Sequence, residues 1–230
     1  GLKKLEKDTD LTEENYDKIP GLGKGLKEKV RKIIDTGTCP DYDYILKHKE
    51  RLDLKDSFMK IHGVGPNCAE KLMNQGFESI EDLRNCKDIN DHLNDVQMIG
   101  LKWYDDIQKR IPYKEIQKHE KFLKKILKKI DPKAELTISG SYRRKKPDSG
   151  DIDLLLKAKN NEVYNTFIDS LTESEYLVED LARGPKKYMG MCKGMNSKWC
   201  RRIDIMYTPP KEYPFAVLYF TGSKDFNVKM

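Results

Sequence analysis

Ile138-Ser139-Gly140-Ser141-Tyr142-Arg143-Arg144, followed by Ser149-Gly150-Asp151-Ile152-Asp153-Leu154, decides how the rest of the chain is read. Asp151 and Asp153 stand two apart in an apolar run, so on a strand both carboxylates project from one face. Ile152, Leu154 and Leu156 take the other face and can enter a core. Arg201-Arg202-Ile203-Asp204-Ile205 repeats the pattern, with Arg202 and Asp204 on one face and two isoleucines on the other. If the two strands are neighbours, three carboxylates converge. Three acids at close range repel unless cations bind among them. Oxygen ligands with room for water suit two Mg²⁺ ions, or Mn²⁺ in their place. Such a pair of ions serves phosphoryl or nucleotidyl transfer. Gly140, Ser141 and Arg144 then read as triphosphate binders on the loop opening the site. Arg202 reads as the group that orients the carboxylates by charge-assisted hydrogen bonds.

Outward from this stretch the grammar of the chain changes at about Ala134. Beyond it come short β-branched runs bounded by Gly, Pro or charged residues, around Ile138, Ile152–Leu156 and Ile203–Tyr207, with a helical pattern from Val163 to Leu171. These predict strands with a helix between them. Before it the apolar residues recur at helical spacing: Leu26, Val30, Ile33 and Ile34, then Ile116, Phe122, Leu123, Ile126, Leu127 and Ile130. Lys114 to Lys129 is Lys-rich on one face, as expected of a solvated helix packed by its other face. Helices first and a mixed segment after predict an α+β fold, with Pro112 as a hinge between the parts.

The helical part contains a repeat. Ile19-Pro20-Gly21-Leu22-Gly23 returns 42 residues later as Ile61-His62-Gly63-Val64-Gly65, each ahead of a helical pattern. The glycines permit positive φ and close approach of a partner backbone. The following helix starts with unpaired N–H groups that can hold a phosphate oxygen. Leu22 and Val64 would anchor each hairpin in the core. The repeat resembles the helix-hairpin-helix motif, which grips DNA phosphates without reading bases.

Composition narrows the classes without naming one. The 230 residues carry 44 Lys+Arg and 38 Asp+Glu, a formal charge of +6. Residues 1–129 and 130–230 each carry +3, so neither is a basic tail. A nucleic-acid partner is allowed by this balance rather than shown by it. No run approaches the ~18 apolar residues of a membrane span, and Gly1-Leu2-Lys3-Lys4 opens without an apolar signal core. Five cysteines, odd in number and without C-x-x-C spacing, predict reduced thiols. The expected setting is intracellular.

G-S-Y-R-R with S-G-D-I-D resembles the nucleotidyltransferase superfamily signature. The two hairpins, Arg201–Ile205 and Tyr219-Phe220-Thr221-Gly222-Ser223 narrow the resemblance to the family X DNA polymerases, nearest to their β type, over about Ile19 to Met230. The resemblance implies a fold of N-terminal helix-hairpin-helix units followed by a nucleotidyltransferase palm with a mixed β-sheet. It implies a partial lyase-like helical domain at 1–45, a helical DNA-binding subdomain at 46–109, a catalytic palm at 110–210, and the start of a nucleotide-selecting subdomain at 211–230. The chain would thus be short at both ends relative to the family.

The resemblance also assigns roles. Asp151, Asp153 and Asp204 match the metal triad, with Asp204 taking the primer 3′-hydroxyl proton. Arg110, Ser141, Arg144 and Gly150 match triphosphate contacts. Tyr219, Phe220 and Gly222 match the sugar-facing segment, and Asn227 a contact to the incoming base. Gly63, Gly65 and Asn67 match the hairpin on the primer strand, and Gly21 and Gly23 the hairpin on the downstream strand, with a monovalent cation at the hairpins. Lys29 matches the Schiff-base lysine of a 5′-deoxyribose phosphate lyase. Gly25 departs from a phosphate-gripping lysine of the family, Met206 from an arginine and Lys224 from an acid. The implied activity is gap filling on primer-template DNA with dNTPs, of the base excision repair type, by a monomer. The alternatives are a non-catalytic DNA-binding fragment and a template-independent nucleotidyltransferase.

Overall fold

The computed structural model describes residue 19, residues 21–194 and residues 197–229. The lyase-like unit expected over 1–45 thus has most of its first 20 residues outside the described ones. The fold has a helical part and a sheet part, each with its own core.

The helical part runs α1 (Lys24–Thr36), α2 (Pro40–Lys47), α3 (Lys49–Met59), α4 (Pro66–Asn74), α5 (Ile80–Asn85), a 3₁₀ turn (Ile89–Asp91), α6 (Asp95–Lys102) and α7 (Tyr104–Ile107). Its starts are written in the sequence. Pro40 and Pro66 occupy first helical turns, where a missing N–H costs nothing. Ser79 accepts from Asp82 N, and Asn94 with Gln97 closes a capping box on α6. Phe58, Ile61, Val64, Ala69, Leu72, Leu83, Leu93 and Leu101 fill its core. Full burial of each large side chain is worth about 1.5–3 kcal/mol. The α1 stripe is only partly used. Val30 packs on Ile19 and Leu22, while Leu26, Ile33 and Ile34 are exposed.

The sheet part begins with β1 (Ile111–Pro112) and α8 (Tyr113–Ile130). It continues through β2 (Glu135–Ile138), α9 (Gly140–Arg143), β3 (Asp148–Ser149), β4 (Ile152–Lys157), α10 (Asn161–Glu173), β5 (Leu177–Arg183), β6 (Lys187–Lys193) and β7 (Cys200–Thr208). After it come α11 (Tyr213–Thr221) and α12 (Lys224–Lys229). The main sheet has the order β2-β4-β7-β6-β5. β4 and β7 run parallel and every other pair is antiparallel, so the sheet is mixed, as expected. Ile116, Leu123 and Leu127 of α8 and Phe167, Ile168 and Leu171 of α10 join the sheet in one core.

One local expectation changes, and one residue needs a tertiary reason. Pro112, read as a hinge, lies in β1, which pairs antiparallel with β3 through Ile111↔Ser149 and Pro112↔Asp148. The connection is therefore tied down beside the D-x-D strand. Leu155 shares the Asp153 side of β4 by alternation, yet it is buried, because α11 packs on β4. Contacts across the two parts fix the helices on the sheet. Trp103 Nε1 and Lys102 Nζ donate to Glu179 Oε2 at 2.9 and 2.6 Å, and Cys200 N donates to Asp106 Oδ2 at 2.7 Å.

Candidate active site

The parallel pairing of β4 and β7 sets Asp153 directly opposite Asp204. Of the three carboxylates expected to converge, this register sets two opposite each other. Asp151 lies one residue before β4 rather than in it. Its carboxylate accepts from Nη2 of Arg202, the residue expected to orient the acids. Burial works against the Arg202 charge, but Asp151 and Asp204 more than offset it. Burial, and then the Asp151 and Asp204 carboxylates, push the Asp153 carboxyl up to about 6, with Arg202 and Lys187 working the other way. A second cation is one the sequence reading missed. Lys187 Nζ stands 3.4 Å from Asp204 Oδ2. Its place follows from the β6–β7 register, Lys187↔Met206, and no local motif announces it.

The acids fit a divalent cation in their chemistry. All donors are oxygen. Asp204 Oδ1 is buried and has no hydrogen-bond partner, so a lone pair is unspent there. Gly140 has φ +57°, and a Cβ on it would overlap Asp153 Oδ2. A glycine is thus needed for the loop to close over the acid. Among the described residues the carboxylates are not drawn into a closed ligand cluster. Asp151 is turned onto Arg202 instead.

Around the acids lie the groups expected to hold a triphosphate. Ser141 Oγ donates to the buried Ser149 Oγ at 2.7 Å. Arg110 grips Asp148 through Nε at 2.9 Å, and a Cβ on Gly150 would come within 3.1 Å of Arg110 Nη1. Arg144 Nη1 donates to Thr221 O at 2.8 Å and to Gly222 O at 3.3 Å, tying α9 to the end of α11. Asn227 Nδ2 donates to Tyr219 O at 2.9 Å, and Gly222 leaves no room for a Cβ against Asn227. Tyr219 is exposed and packs edge-on against Phe220, which reaches the space beside Asp153, Lys187 and Asp204.

The second hairpin faces the acids across a cleft of about 590 Å³, lined by Ile61 to Gly65 on one side and by Gly150, Asp151 and Arg202 on the other. His62 stands in this cleft, unmarked by the sequence reading. Burial and Arg202 lower its pKa, and Asp204 partly restores it. The two hairpins share one geometry. Gly21 and Gly63 have φ of +85° and +84°, and Leu22 N and Val64 N turn back to Ile19 O and Ile61 O. Gly23 and Gly65 cap α1 and α4 without a side-chain partner. Asn67 lies in the first turn of α4. The Gly63 carbonyl accepts from Gln97 Nε2 at 2.9 Å.

Lys29 lies on the exposed side of α1. Its amine pairs with Asp41, which raises its pKa. A nucleophilic amine needs the opposite shift.

Residues 110–210 match the family model described as "DNA polymerase beta palm", and residues 56–108 match "Fingers domain of DNA polymerase lambda". The chain belongs to the family X DNA polymerases. DNA polymerase lambda of Arabidopsis thaliana is 30% identical over 226 residues, 92% of this chain and 42% of the relative. DNA polymerase lambda of Rattus norvegicus is 33% identical over 223 residues, 92% of this chain and 38% of the relative. DNA nucleotidylexotransferase of Xenopus laevis is 26% identical over 247 residues, 90% of this chain and 48% of the relative. This family X chain therefore spans less than half the length of each of these relatives. No described helix is long and apolar enough to cross a membrane.

Proposed function

We propose that the chain is the DNA-gripping and catalytic part of a template-directed repair polymerase, acting in a DNA-containing compartment. The register pairing of Asp153 with Asp204, with Asp151 alongside on Arg202, carries this reading. Asp151, Asp153 and Asp204 would hold two Mg²⁺ ions. Bound there, the ions would lower the cost of deprotonating a primer 3′-hydroxyl and neutralise a triphosphate.

The chain's own groups supply the rest. The hairpin at Gly63 and Gly65 presents the N-terminus of α4 to the cleft that ends at Asp151, where primer-strand phosphates would lie. The hairpin at Gly21 and Gly23 would take a second stretch of backbone. Arg144 and Ser141 would turn from Thr221 and Ser149 to the triphosphate, assisted by Arg110 beside Gly150. Asp204 would accept the hydroxyl proton, since its Oδ1 is unspent. Tyr219, Phe220 and Gly222 would face the sugar, and Asn227 the base. The 5′-deoxyribose phosphate lyase is a separate proposal. It requires Lys29 to leave Asp41 and lose its proton. Borohydride trapping on abasic DNA, compared with Lys29→Ala, tests it.

Primer extension on one-nucleotide-gapped DNA, with each template base in turn, tests the main reading. Mg²⁺-dependent addition of the matched dNTP is expected, reduced about 10³-fold or more by Asp204→Ala. Addition without regard to the template base would favour the second reading, template-independent transfer, which the nucleotidylexotransferase relative keeps open. No extension would leave a DNA-binding fragment.

A further inference from the structure

A second cavity, of about 430 Å³, opens beyond the start of β7, between α8 and residues 197–199, and shares no lining residue with the cleft at the acids. Cys200, next to it, is four residues from Asp204, roughly 13 Å of strand. Its walls are aromatic: Phe122, Tyr176 and Trp199. Lys114, Lys118 and Lys198 also line it and are exposed. Among the described residues, neither Lys114 nor Lys118 pairs with an acid. Lys198 Nζ stands 5.0 Å from the Trp199 ring centre.

His119 lines the same cavity. Its side chain is 2% exposed. Nδ1 bonds the Tyr176 hydroxyl at 2.6 Å, but Nε2 is buried without a hydrogen-bond partner. The nearest acid, Glu115 Oε1, is 3.9 Å away and too far for a bond. Both Glu115 oxygens are already spent on the buried Arg201, at 2.7 and 3.0 Å. Burial pushes the imidazole down to about 4, so it is neutral and offers one donor or acceptor. A buried polar atom left unpaired costs about 1–3 kcal/mol, which a ligand atom can recover.

Each feature excludes a class of occupant. An apolar ligand would leave Nε2 and the ammonium groups idle. A bare inorganic anion would leave three aromatic walls idle. A planar ring with hydrogen-bonding edges and an anionic substituent uses all of them, and the volume lies within the usual range for small-ligand sites. We infer that this cavity binds a nucleoside monophosphate, the base between the aromatic walls with its edge on His119 Nε2 and the phosphate on Lys114, Lys118 and Lys198. The nucleotide comes either free or as the end of a single strand.

Calorimetric titration with dAMP in EDTA tests the site without divalent cations, so its outcome is independent of polymerase activity. Saturable binding is expected, weakened about tenfold or more by Lys118→Glu with Lys198→Glu and unchanged by Arg144→Ala. Circular dichroism melting checks that the charge-reversed chain is folded, as two exposed positions predict. Absence of binding overturns the inference. So does binding that survives the charge reversal and is lost in Arg144→Ala, which puts the nucleotide in the catalytic cleft. A 5′-phosphorylated tetranucleotide separates the sources. Tighter binding than dAMP assigns the strand end, and equal or weaker binding assigns the free nucleotide.

Discussion

Asp153 sits where a carboxylate is least at ease, half-buried and facing Asp151 and Asp204. Its folded pKa of about 6 lies above that of the unfolded chain. The native state therefore holds a proton that the unfolded state has released. The stability from this group is full below about pH 4 and is lost as pH rises through about 6, on the order of 3 kcal/mol. His119, lowered to about 4, works in the other direction over the same window. Comparison with Asp153→Asn removes that background. Urea unfolding in EDTA at pH 4.5 and 7.5 should show the wild type losing about 2 kcal/mol more than Asp153→Asn; equal losses would refute the assignment. The acids and Arg202 were legible because alternation on a strand is local. Lys187 was not, because its approach to Asp204 depends on how β6 registers against β7.

The two glycines of one hairpin do different work at the scale of the element. Gly63 has φ +84°, and a Cβ there would press on Gln97 Cγ at 3.2 Å and Val96 Cγ1 at 3.3 Å. Gly65 caps α4 with an ordinary φ of −94°, and a Cβ there would meet nothing. Its bareness has no use inside the fold and leaves room for a partner outside. Gly63→Ala should cost about 1–2 kcal/mol. Gly65→Ala should leave stability within about 0.5 kcal/mol, yet weaken binding to gapped DNA several-fold. Melting and fluorescence anisotropy read the two effects. Unchanged DNA affinity in a stable Gly65→Ala chain would remove this hairpin from the interface. The repeat itself was legible, since G-h-G between helical patterns states both the turn and the cap. What holds it was not. Gln97 bonds Gly63 O from 34 residues away, and Gly100 leaves space for the His62 carbonyl that any side chain would fill.

At the scale of the molecule, the fold is two cores set against each other so that one hairpin of the helical part faces the acids of the sheet part. Helices first and strands around a helix after could be read from patterning, and the mixed sheet from the family resemblance, while β5 and β6 carried no pattern that announced them. The facing of the two parts could not, because Glu179, Asp106 and Cys200 make their cross-contacts from positions without any motif. The charge of +6 does not sit at the acids. Arg202 and Lys187 offset two of the three carboxylates there, and divalent cations would turn the site positive. That cation centre is the central claim, and Mn²⁺ titration followed by electron paramagnetic resonance, with a dNTP present, tests it most directly. Two Mn²⁺ bound per wild-type chain and at least one lost in Asp204→Asn is the predicted result. The same stoichiometry in both proteins would contradict it.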